Sequence, residues 1–74
     1  MEDSKVLRMK AVAALLGISR HSLRRVIQSD PTFPRFFPIS PGVLVVREHQ
    51  VRAWLRRKEL DAYEKAASAP TSPN

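Results

Sequence analysis

Between Ser19 and Gln28 the chain reads Ser-Arg-His-Ser-Leu-Arg-Arg-Val-Ile-Gln. Three of these residues are arginines, and none is acidic. A helix turns by about 100° per residue, so if Leu23, Val26 and Ile27 point inward, then His21, Arg25 and Gln28 point outward. Ser22 and Arg24 flank that face, and Arg20 lies near its first turn. An arginine on such a face can hold guanine O6 and N7 through two hydrogen bonds, while other Arg and Lys residues neutralise phosphates. His21 has two readings, a base-edge or phosphate contact beside Arg25 and a solvated surface histidine. Residues 4–29 carry six basic side chains (Lys5, Arg8, Lys10, Arg20, Arg24 and Arg25) and no Asp or Glu. Such a patch repels itself, and a polyanion relieves that repulsion.

The elements that position this face follow from spacing. Lys10–Gln28 reads as two short helices around a sharp turn. The first carries Val12, Ala13 and Leu16, and Gly17-Ile18 makes the bend. Two helices crossing through a short turn need a small residue where they approach and a flexible one at the bend, and Ala13 and Gly17 supply them. Ile18 plugs the corner. Ser19 stands where an N-cap belongs, and Leu23, Val26 and Ile27 repeat as one buried stripe. This is the helix-turn-helix pattern; its plain alternative is a helical hairpin in a small core. The second helix should end near Gln28 or Ser29, because Pro31 pushes Asp30 out of the helical region.

Residues 31–47 carry four prolines among Phe33, Phe36, Phe37, Ile39 and Val43–Val46, which excludes a helix and favours strands. Ser40-Pro41-Gly42 suits a turn. We expect a small hairpin, Arg35–Ile39 against Leu44–Arg47, preceded by an extended lead-in over Lys5–Met9. The alternative is an irregular loop packed by its aromatics. Glu48–Leu60 reads as a third helix with a buried stripe of Val51, Trp54 and Leu55, extending to about Ala67. The fold class expected is mainly α with a small β-hairpin: a winged helix-turn-helix of three helices and a two-stranded wing. One domain spans residues 5–67, and residues 68–74, small, polar and Pro-bearing, form a disordered tail.

Composition narrows the functions available. The formal charge of +6 on 74 residues favours a nucleic-acid or anionic partner. No cysteine is present, which removes disulfides and thiolate metal sites. No apolar run approaches the roughly 18 residues of a membrane span, and MEDSKVLRMK is no signal peptide, so a cytoplasmic protein with no membrane partner is expected. The acids Glu2, Asp3, Asp30, Glu48, Glu59, Asp61 and Glu64 are scattered, and no pair is placed for acid–base work. His21 and His49 lie far apart, with no ligand cluster near either, and Gly17 and Gly42 form no phosphate loop. We therefore expect no enzyme activity, no metal and no cofactor.

The chain resembles the AlpA-like phage and prophage regulators, which are grouped with small phage excisionases and related in fold to the DNA-binding domain of MerR-type regulators. The residues that carry the resemblance are Leu7-Arg8-Met9-Lys10, Val12 to Gly17, Ser19-Arg20, Leu23 to Arg25, Ile27, the loop Asp30-Pro31-Thr32-Phe33-Pro34, Arg47 and Val51-x-x-Trp54-Leu55. It implies a small DNA-binding protein acting as a transcription regulator or as a recombination directionality factor. Two positions depart from the family: Val46 stands where an aromatic is usual, and the tip Ser40-Pro41-Gly42-Val43 lacks arginine. The DNA-contacting set expected is Lys10, Ser19, Arg20, His21, Ser22, Arg24, Arg25, Gln28 and Arg35. The partner expected is double-stranded DNA. Further copies of the chain on adjacent sites, and a recombinase or RNA polymerase, are the protein partners considered. Two alternatives stay open: a single-stranded nucleic-acid or RNA binder, which needs Phe33, Phe36 and Phe37 exposed, and a basic adaptor for an acidic protein.

Overall fold

The computed structural model describes residues 5–68. The elements run β1 (Val6–Arg8), α1 (Met9–Leu16), α2 (Arg20–Ser29), β2 (Phe37–Ser40), β3 (Val43–Arg47) and α3 (Glu48–Ser68). Three helices thus pack with a small antiparallel sheet in a winged helix-turn-helix arrangement.

The joint between α1 and α2 is built as the sequence suggests. Gly17 takes φ 72°, a left-handed conformation that an L side chain adopts only at a cost. The N–H of Gly17 donates to the Ala14 carbonyl at 3.1 Å, and that of Ile18 to Ala13 at 3.0 Å. This pair of bonds is the Schellman stop, which satisfies carbonyls the helix end would otherwise leave open. Ile18 then turns onto the core. The Ser19 hydroxyl accepts from the Ser22 N–H at 3.1 Å and caps α2. At the far end Asp30 is extended, as Pro31 requires, and its N–H donates to Val26 at 2.9 Å.

The sheet exceeds the expected hairpin. The lead-in before α1 forms a third strand, and the order is β1-β3-β2, with β3 in the centre. Val6, Leu7 and Arg8 pair with Arg47, Val46 and Val45. The hairpin itself is shifted toward its tip: Arg35 and Phe36 stay outside β2, while Ser40 and Val43 join the strands. Phe36 instead lies parallel to Phe33, with ring centroids 6.5 Å apart. Gly42 at φ 78° completes the turn after Pro41, and the register slips between Pro38 and Ser40.

Val12, Ala13, Leu23, Phe33, Val46 and Val51 form the buried core, and Leu7, Met9, Leu16, Val26, Ile27 and Trp54 are among the half-buried residues packed on it. The α3 stripe needs a correction: Leu55 is exposed. Val51 is fully buried, with Trp54 on one side of it around the helix and Leu55 on the other. Contacts of Trp54 and Lys58 with Asp30 turn α3 toward the Trp54 side, and Leu55 falls outside the seam. Leu60 and Tyr63 are exposed too, so α3 has more apolar surface than the sequence led us to expect. The helix continues to Ser68; residues 1–4 and 69–74, the latter holding most of the expected tail, lie outside the described residues. Among the described residues, no helix is long and apolar enough to cross a membrane.

Candidate nucleic-acid interface

The outward face of α2 exists as its periodicity implied. Leu23 is fully buried, Val26 and Ile27 are half-buried, and Arg20, His21, Ser22, Arg24, Arg25 and Gln28 are all exposed. The helix is ten residues long and has no acid in its first turn. Ion pairs that tie up cations occur on α3: Glu48 meets Arg52 at 2.8 Å, and Asp61 stands 3.9 Å from Arg57. Asp30, at the end of α2, is taken by Lys58 at 2.6 Å. Lys58, then the hydroxyl and N–H of Thr32, hold the Asp30 carboxyl well below the usual carboxylate range, so it stays ionised. Its charge is directed away from the α2 arginines and onto α3.

Ser19 and Ser22 are engaged with each other. Besides the capping bond, the Ser19 hydroxyl lies 3.2 Å from the Ser22 hydroxyl as its donor. Both are exposed, and their first task in the fold is to start α2. The donors left for a phosphate at that helix start are the Ser22 hydroxyl and the open N–H groups of the first turn.

A shallow cleft connects α2 with the wing. It is lined by Arg8, Met9, Lys10, Arg20, Gly42 and Leu44, so three basic side chains from β1, α1 and α2 meet the tip of the hairpin. Lys10 and Arg20, both in the expected DNA-contacting set, line it together. Arg8 is an addition that the sequence reading counted as charge without assigning it a contact. Strand alternation was the available signal: with Leu7 on the core and Val6 and Arg8 on the other side, a strand over residues 6–8 turns Arg8 outward. A basic side chain absent from the wing tip thus stands beside it, on the neighbouring strand.

Arg35 is not part of this group. It lines a separate cleft of about 1080 Å³ between α3 and the loop into β2, together with Phe36, Phe37, Arg47, Trp54 and Arg57. Phe33 is buried, and Phe36 and Phe37 are half-buried, so the exposed aromatic platform that single-strand stacking requires is absent among the described residues. Among those same residues no group of three or more His, Cys, Asp or Glu side chains could hold a metal ion.

The family described as prophage CP4-57 regulatory protein (AlpA) matches residues 5–60, from the lead-in to β1 through the middle of α3. No curated protein matches the chain, and no solved structure does.

Proposed function

We propose, since the chain belongs to the AlpA family of prophage regulatory proteins, that it binds duplex DNA in a sequence-specific way through α2. The observation that carries this reading is the exposed, acid-free face of α2, continuous with Arg8 and Lys10 at the wing. In the major groove, Arg25 at the middle of that face reads a guanine, with Arg24, His21 and Gln28 beside it. Arg8, Lys10 and Arg20 hold phosphates along the flank, and Ser19 and Ser22 fix the helix that points there. The protein acts by occupying DNA and carries out no reaction. Its output is control of transcription or of excision, since both require the same grip.

Selection of bound sequences from a random duplex pool, with single strands as a control, tests the reading. Enrichment of a short duplex motif is the expected result. Equal retention of all duplexes would leave only charge-driven binding, and preference for single strands would overturn it.

A further inference from the structure

The cleft that holds Arg35 suggests a second function. We propose that it is a docking site for an acidic peptide segment of a protein partner, one that brings an apolar side chain between its carboxylates. The cleft sits at the α3 end of β3, and the wing-tip cleft with Lys10 and Arg20 sits at the other end of the same strand. DNA on α2 and a peptide at α3 thus use different parts of the surface.

Charge and floor together select the occupant. Arg35, Arg47, Arg57 and Lys58 line the cleft, and Asp61 is its one acid among the lining residues. Lys58 is committed to Asp30, but the Arg57 side chain is 78% exposed and only loosely paired with Asp61 at 3.9 Å. Guanidinium groups bind carboxylates through paired hydrogen bonds, and here Arg35 lines the cleft from the loop before β2 and Arg57 from α3. The floor is aromatic: Phe36, Phe37 and Trp54, all half-buried. Trp54 meets Phe33 edge-on at 4.7 Å, and Phe36 lies parallel to Phe33. Rings committed to one another in this way offer their outer edges to an aliphatic or aromatic side chain rather than a free face to a base. A basic rim over an apolar floor therefore matches an acidic peptide with an apolar anchor better than it matches a nucleic-acid strand. At about 1080 Å³, the upper end of the range for small-molecule pockets, the cleft has room for a chain segment.

Trp54 is the chain's single tryptophan and lies in this cleft, so its emission reports occupancy directly. The full chain is titrated with a short peptide of alternating Asp and Leu, with its Lys–Leu and Asp–Gly counterparts, and with oligo-dT. The Asp–Leu peptide should shift Trp54 emission in a saturable way, and the Lys–Leu and Asp–Gly peptides should not. Arg57→Glu, and independently Arg35→Glu, should weaken it by about tenfold or more, while Arg25→Ala leaves it unchanged; melting curves establish that each variant is folded. Absence of a shift with the Asp–Leu peptide overturns the proposal. So does an equal loss on Arg25→Ala, which would put the peptide on α2, and so does displacement of the peptide by oligo-dT at the same site.

Discussion

The indole N–H of Trp54 donates to the Asp30 carboxylate at 3.2 Å, joining the middle of α3 to the end of α2. Lys58 reaches the same carboxylate oxygen at 2.6 Å and stands 5.9 Å from the Trp54 ring centre. The other oxygen accepts from the Thr32 N–H at 2.9 Å and from the Thr32 hydroxyl. One carboxylate thus ties the end of α2 to the middle of α3.

This gives a pH dependence. Asp30 loses its proton more readily in the folded chain than in the unfolded one, chiefly because of Lys58 and then Thr32. The stability it adds is complete above the unfolded carboxylate value of about 3.9 and is lost as pH falls through the lower folded value. Thermal melts should therefore show a decline below about pH 4 that is smaller in Asp30→Asn, and Asp30→Asn should already melt lower at pH 7. Identical acid profiles in both proteins would show that Asp30 is not the titrating group.

Trp54 contributes through its ring and through its N–H. We expect Trp54→Ala to lose roughly 2–4 kcal/mol, somewhat below the usual cost for a fully buried large aromatic because Trp54 is half-buried. That is comparable to the whole stability of so small a core. Trp54→Phe keeps most of the packing against Phe33 and should lose less. Denaturant unfolding of both variants checks this; equal losses would mean that the N–H contact dominates.

On DNA, Arg25→Ala should cost about 1–3 kcal/mol and relax preference at one base pair. Arg8→Ala and Lys10→Ala should weaken all duplexes alike and reduce the salt slope by about one each. Binding isotherms on the selected motif and on its single-base variants, across a salt series, separate the two behaviours. An Arg8→Ala protein with unchanged salt slope would remove Arg8 from the interface.

Gly17→Ala tests the joint between α1 and α2. No heavy atom lies within 4 Å of a Cβ built there, so crowding adds nothing, and the cost is that of a left-handed backbone, about 1–2 kcal/mol. Chemical denaturation should show this loss with no change in the slope against denaturant.

A ten-residue α2 is about 15 Å long, enough for four or five base pairs. A site that short recurs too often to discriminate between loci. Two adjacent half-sites should therefore bind cooperatively, and a lone half-site weakly at physiological salt. Tight binding of one copy to one half-site would contradict this. Leu55, Leu60 and Tyr63 on α3 leave the free chain's association to be read by sedimentation in the same experiment.

The helix-turn-helix was legible because its requirements are local. Gly17, Ile18, Ser19 and the Leu23–Ile27 stripe each do in the structure what their type and spacing imply. The third strand was not legible: Val6–Arg8 is too short for its own pattern to declare it, and only the distant β3 makes it a strand. Leu55 was misplaced for a similar reason. Val51, Trp54 and Leu55 share a stripe broad enough for either edge to be buried, and the choice lies with Asp30, far away in sequence. Of the site residues, those on α2 followed from helix periodicity, whereas Arg8 and Arg35 were placed by the sheet and by the loop around Phe36.

The pairing of β1 with β3 also bears on the order of folding. Helices α1 and α2 and strand β2 lie in sequence between β1 and its partner, since Val6 faces Arg47 across the ladder. Both α1–α2 and the β2–β3 hairpin can close from neighbouring residues while β1 waits. Contact order therefore favours closing the helix pair before its edge strand is in place. Arg8 takes its position beside the wing only with β3 formed.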